Sequence, residues 1–150
     1  MEEASLIVKV ALIMLFFGSV AHSYQEYEER REPIERFSSA LDFMDVLKNH
    51  LLCLKVRGIP SPCLIDESAL AGFDYYDLSR YWNRPYQWEV VIKDASGQVI
   101  YEEGDLARRG MDTLSMKARR EYTVAYSIVA IHSEDGKNMP GRLEVWVWST

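Results

Sequence analysis

The chain has 150 residues, 48% hydrophobic and 12% aromatic, with 17 Lys and Arg against 23 Asp and Glu for a formal charge of −6. That length suits one domain with an appendage, and the apolar and aromatic content excludes a disordered chain. The acidic balance excludes a general nucleic-acid binder, which needs a basic face for phosphates, and two cysteines are too few for a disulfide-dense scaffold or a four-thiolate zinc site.

Residues 6–21 read LIVKVALIMLFFGSVA, with Lys9 the one charge. As a membrane-spanning helix this run is close to the roughly 20 apolar residues that cover a hydrocarbon core of about 30 Å. Lys9 lies near enough to one end to reach the headgroups. Leu6, Ile7, Val10, Leu12, Ile13, Leu15, Phe16 and Phe17 then face lipid or neighbouring helices, and the bilayer is the first partner. The competing reading is a secretory signal: Lys9 ends the n-region, residues 10–17 form the apolar core, and small residues follow at Gly18, Ser19, Ala21 and Ser23. Cleavage after Ala21 or Ser23 then releases a secreted protein. Glu2 and Glu3 are out of place in a positive n-region, so the retained helix over residues 1–23 is carried forward.

Cys53 and Cys63 flank LKVRGIPSP, where Gly58, Pro60 and Pro62 predict a turn-rich loop. A disulfide across it stabilises by about 2–3 kcal/mol on the chain-entropy argument and belongs to an oxidising compartment. The alternative is two unpaired, partly buried thiols. Lys9 on one flank against Arg30 and Arg31 on the other leans toward a cytoplasmic C-terminal part. The cysteine pair outweighs that lean, so the expectation is an extracytoplasmic domain on a single-pass anchor. His22, His50 and His132 stand alone, so no metal and no cofactor site is expected.

Residues 24–56 are predicted as a charged, then amphipathic helix. YQEYEERRE leads to Pro33, which removes a backbone donor and breaks or kinks the ladder. Beyond it Ile34, Phe37, Leu41, Met44, Leu47 and Leu51 recur at three- and four-residue steps, predicting one buried face. That face packs on the chain's own sheet or on neighbouring subunits. Residues 66–82 read as short helical turns, with Asp66 a cap. Tyr75, Tyr76, Tyr81, Trp82 and Tyr86 form an aromatic cluster suited to packing.

After Pro85 the period becomes alternating. Residues 87–93 and 99–102 predict a hairpin turning at 94–97. Residues 104–114 predict a loop and 119–132 the longest strand. Residues 133–141 are a reversal, and 142–148, RLEVWVW, a closing strand. Leu143, Val145 and Val147 share one face of that strand and Glu144, Trp146 and Trp148 the other. Two tryptophans there predict a covered second face or an interaction surface. Residues 57–150 are thus a β-rich domain, and the fold class is α+β: a hydrophobic transmembrane helix continuing into an amphipathic helix, packed on a small antiparallel sheet.

No Gly-rich phosphate cradle, GxSxG elbow or HExxH pair occurs. The acidic pairs Glu28-Glu29, Glu102-Glu103 and Glu134-Asp135 read as solvated faces and turns, so no catalytic residue is predicted. The order of parts, with the ending Asp135-Gly136, Pro140-Gly141-Arg142-Leu143 and Val145-Trp146-Val147-Trp148, resembles type IV pilin-like proteins, particularly archaeal minor pilins. It differs from pilin precursors in that residues 1–5 hold no basic-small cleavage site. The resemblance implies a helix packed among pilin-like subunits or against a secretion or assembly platform, with the β domain outside the cytoplasm. The expected function is a membrane-anchored structural or assembly protein, with a secreted or tethered binding module as the alternative.

Overall fold

A computed structural model describes residues 2–113 and 121–150, with side chains from residue 5 onward. The predicted loop end at Leu114 and the first residues of the strand predicted over 119–132 lie outside the described residues. Two compact units divide the chain, Met1–Glu35 and Arg36–Thr150.

The first unit is helical throughout its described residues, as part of α1 (Glu2–Val46). Helix runs through Pro33, so the proline does not end it. Pro33 has no N–H to give the carbonyl one turn earlier, a local loss that the flanking helix formers tolerate. Ion pairs spaced one turn apart reinforce the charged stretch: Arg31 Nε donates to Glu35 Oε1 at 2.6 Å and lies 3.7 Å from Glu28.

The second unit is a six-stranded sheet carrying the C-terminal part of α1 on one face. Its elements are β1 (Cys53–Val56), β2 (Ile59–Asp66), α2 (Glu67–Leu70), α3 (Tyr75–Ser79), β3 (Gln87–Asp94), β4 (Val99–Gly104), β5 (Tyr122–His132) and β6 (Asn138–Trp148). The strand order is β1-β2-β5-β6-β3-β4. The α+β class is as expected, but the sheet is mixed: β2 runs parallel to β5 over Leu64–Asp66 against Ala130–His132, and the other pairs are antiparallel. The predicted hairpin over 87–102 is β3–β4. The last reversal is tighter than predicted, because β6 already pairs with β5 from Asn138.

The segment between the cysteines is a hairpin instead of the predicted loop. Arg57 and Gly58 both have positive φ, 52° and 80°, the backbone of a two-residue hairpin turn. This overturns the predicted disulfide. Cys53 pairs in register with Ile65, which leaves Cys63 two residues away along β2, and both thiols are free. The Cys63 Sγ sits 3.8 Å from Asn49 Oδ1 instead. The cysteine argument for an extracytoplasmic domain falls with the disulfide.

Alternation on the strands builds the core. Trp88, Val90 and Ile92 of β3, Leu143, Val145 and Val147 of β6, and Ala125, Val129 and Ile131 of β5 meet Ala40, Phe43, Met44 and Leu47. The helix face that does this is offset from the predicted stripe. Met44 and Leu47 are buried and Leu51 half-buried, whereas Phe37 is 45% and Leu41 40% exposed. The neighbouring face is the one the core takes: Ala40 is fully buried, and Phe43 enters between Trp82 and Trp88, each ring 5.2 Å away. Ile34, in the first unit, is exposed.

The offset is testable by denaturant unfolding of the full chain in detergent. Phe43→Ala is expected to cost about 3–5 kcal/mol as a large-to-small core change, and Leu41→Ala less than about 1 kcal/mol as a surface change. Equal costs would contradict the packing described.

Candidate functional site

Two features carry chemistry a globular interior does not need. The first is the apolar run of α1. Eleven large apolar side chains between Leu6 and Val20 are 46–71% exposed, Leu6, Ile7, Val10, Leu12, Ile13, Leu15, Phe16 and Phe17 among them. The helix is long and apolar enough to cross a membrane.

The second is the sheet face opposite α1. Trp146 and Trp148 lie here, but at 3% and 1% exposure they are interior residues instead of a surface for partners. They pack with Val91, Leu106, Tyr122 and Val124, and Trp148 Nε1 donates to Gln87 Oε1 at 2.7 Å. Leu106 belongs to the turn after β4, so that turn packs on the tryptophans. Further along the same face Tyr126 and Ile128 are 61% and 76% exposed.

Acidic groups sit inside this face. Glu144 is 1% exposed and held between Lys93 Nζ at 3.1 Å and Arg142 NH2 at 3.2 Å. Glu89, fully buried, accepts from the backbone N–H of Leu106 at 2.8 Å and of Ala107 at 3.0 Å. It thereby fastens the turn to β3, while Asp105 accepts from Trp88 N–H at 2.9 Å and from the Tyr75 hydroxyl at 3.0 Å. Gly104 makes this approach possible. Its φ is +155°, and a Cβ there would collide with the Glu89 carboxylate and lie 2.6 Å from Glu89 Cα.

Burial pushes the Glu89 carboxyl up to about 8, against the pull of its two backbone donors and with the push of the Glu102 and Asp105 charges. Glu102 is raised too, by burial and then by Asp112, while the Thr113 backbone N–H and Glu89 oppose the shift. One Glu102 oxygen is buried and meets no fixed donor. Glu89 keeps its proton at neutral pH, and in that form its side chain can donate to Glu102. Glu102-Glu103, expected to be solvated, are both half-buried, with no local pattern to announce it. Glu89 was missed as well. Its signal was a lone carboxylate inside the apolar strand QWEVVIK, on the side shared with Val91.

The aromatic cluster divides. Tyr75, Trp82 and Tyr86 pack on the core, Tyr75 stacked on Trp88 at 5.4 Å, while Tyr76 and Tyr81 are exposed. Tyr81, Trp82, Asn83 and Arg84 face Ser39, Asp42, Phe43 and Val46 across a cavity of about 340 Å³. Of its polar groups, Arg84 NH2 meets Asp42 at 3.1 Å, and Trp82 Nε1 donates to Tyr86 O, outside the cavity, at 2.8 Å. Asp66 starts α2 without a side-chain cap bond, and the capping box belongs to Asp74 and Asp77 on α3. His132 Nδ1 lies 2.7 Å from Asn138 Oδ1 and His22 3.6 Å from Glu26. Among the described residues no group of three or more His, Cys, Asp or Glu side chains could hold a metal ion. Compared with protein-family models, curated proteins and solved structures, the chain matches none.

The buried acid sets a pH dependence. Below pH 4.5 Glu89 is protonated folded or unfolded. Between there and about 8 the unfolded chain releases the proton that the folded one keeps, so stability falls as pH rises and levels off above. Glu102 and Glu103, also raised, act in the same direction. Denaturant midpoints of the full chain in detergent are expected to drop from pH 5 to pH 8. Glu89→Gln, which keeps an acceptor for the turn and a donor for Glu102, should remove most of the drop. A midpoint that rises with pH, or a slope unchanged in the variant, would contradict a buried Glu89 that keeps its proton.

Proposed function

We propose that this protein is a membrane-anchored structural or assembly protein, pilin-like in its order of parts, and not an enzyme. The observation that supports it most is the exposure of every large apolar side chain between Leu6 and Val20. Leaving eleven such groups in water costs on the order of 20 kcal/mol relative to covering them, more than the whole stability of a typical domain. Lipid or other helices cover them in this reading. The unit Arg36–Thr150 then offers surfaces to partner subunits or an assembly platform instead of a reactive centre. Of its buried carboxyls, Glu89 holds a turn and Glu144 meets Lys93 and Arg142, and its aromatic residues serve mostly packing.

The pilin-like reading places that unit outside the cytoplasm. A second reading, with the unit facing the cytoplasm, is favoured by Arg30 and Arg31 on its flank of the run and by the two free thiols.

Fractionation tests the anchor and protease shaving the side. The full-length protein is expected to stay in the membrane pellet through alkaline carbonate, with residues 1–23 retained by mass spectrometry. Recovery of an intact, freely soluble monomer would contradict anchoring. A mature chain beginning at His22 or Tyr24 would convert the reading to a secreted binding module. Protease added to intact cells is expected to degrade the second unit, and protection would select the cytoplasmic reading.

A further inference from the structure

Stepping four and three residues at a time along the helix of the first unit gives Leu6, Val10, Ile13, Phe17, Val20, Tyr24, Tyr27, Arg31 and Ile34. Inside the apolar run this spacing is unselective, because nearly every residue there is apolar. Beyond Ala21 it is selective. The large apolar side chains of residues 22–35 are Tyr24, Tyr27 and Ile34, all three fall on the seam, and all three are 62–67% exposed. In heptad terms Val10, Phe17, Tyr24 and Arg31 are a positions, and Leu6, Ile13, Val20, Tyr27 and Ile34 are d positions. The next step falls on a polar residue, Ser38, and the one after it on Leu41, itself exposed in the second unit.

The charges beside the seam have a partner of matching pattern, namely the same segment in another copy. Glu28 and Glu35 occupy e positions and Arg30 the g position between them. In a parallel, in-register pair Arg30 of one helix meets Glu35 of the other. An antiparallel pair would set Arg30 against Arg30 and glutamate against glutamate. Arg31, the one charged seam residue, is already flanked by Glu28 at 3.7 Å and bonded to Glu35 at 2.6 Å on its own helix, so its charge is compensated at the interface. A single polar a residue fixes register and strand number at some loss of stability. The helix surface is also shaped for this packing. Tyr27, Arg30, Arg31, Ile34 and Glu35 line one depression, and the first four are the residues that frame a hole for an incoming a-position knob. Pro33 and Glu29, whose carbonyl lacks a donor, fall at outward c and f positions.

We propose that residues 6–35 pair in parallel and in register with those of a second copy, forming a two-stranded coiled coil. Its inner half rests on the membrane-anchored reading above. Its charged half, residues 24–35, carries the seam outside lipid.

Oxidative cross-linking of the full chain in its native membranes tests this. Tyr27→Cys and Ile34→Cys place thiols on the seam, and Glu29→Cys places one on the outward face. Disulfide dimers several-fold stronger at 27 and 34 than at 29, above the wild-type background, are expected. Adding Ile34→Asp, an exposed position, to Tyr27→Cys should abolish the product. Dimers no stronger at 27 and 34 than at 29, or undiminished by Ile34→Asp, would overturn the pairing. Carbonate extraction of the same samples separates the two claims. Seam-specific dimers in the soluble fraction would uphold pairing and remove the anchor, and chains held in the pellet without them would overturn the pairing alone.

Discussion

An α-helix satisfies its own backbone polar groups, so a run such as residues 6–20 can lie in lipid with no other structure around it. Water is a poor environment for it: apart from Lys9 and Ser19 its side chains are apolar, and no described residue of the first unit buries the large ones. That uncovered surface constrains the rest of the account. It makes the first unit dependent on its surroundings, and it assigns the burial of a self-sufficient core to the unit Arg36–Thr150.

Within that unit the helix end and the sheet fit by size as much as by hydropathy. Ala40 is fully buried, Phe43 fills the space between two indole rings, and Met44 and Leu47 complete the contact. The opposite face is closed differently. A turn folds back over Trp146 and Trp148 because Glu89 accepts its first backbone donors and Gly104 lets the chain pass close to β3. Burying a carboxyl is costly unless it is bonded or neutral. Here it is both, with two N–H donors and a proton held toward Glu102.

Much of this was legible in the residues. The apolar run, the alternation of β3, β5 and β6, and the turn at 94–97 each carry a period or a composition that one conformation satisfies, while the reversal read over 133–141 gives up Asn138–Gly141 to β6. What escaped depended on long-range pairing. The Arg57-Gly58 turn converts a proline-rich stretch into β1–β2, and register then separates Cys53 from Cys63. The parallel placement of β2 beside β5 has no local signature. Phe37 and Leu41 belong to the predicted stripe by periodicity, yet the sheet selected the neighbouring face through a small residue, Ala40, that hydropathy undervalues. Glu89 drew no notice in QWEVVIK because the turn that donates to its carboxylate, at Leu106 and Ala107, comes from a distant part of the pattern.

Spin labels placed one at a time at Leu12, Phe16, Tyr24 and Glu29, in the full chain reconstituted into lipid vesicles, test the central claim most directly. The account predicts that labels at 12 and 16 collide readily with dissolved oxygen and hardly with a water-soluble nickel chelate, and that the order reverses at 29. Labels at 12 and 16 open to the chelate, or shielded from both relaxants as in a protein interior, would contradict it.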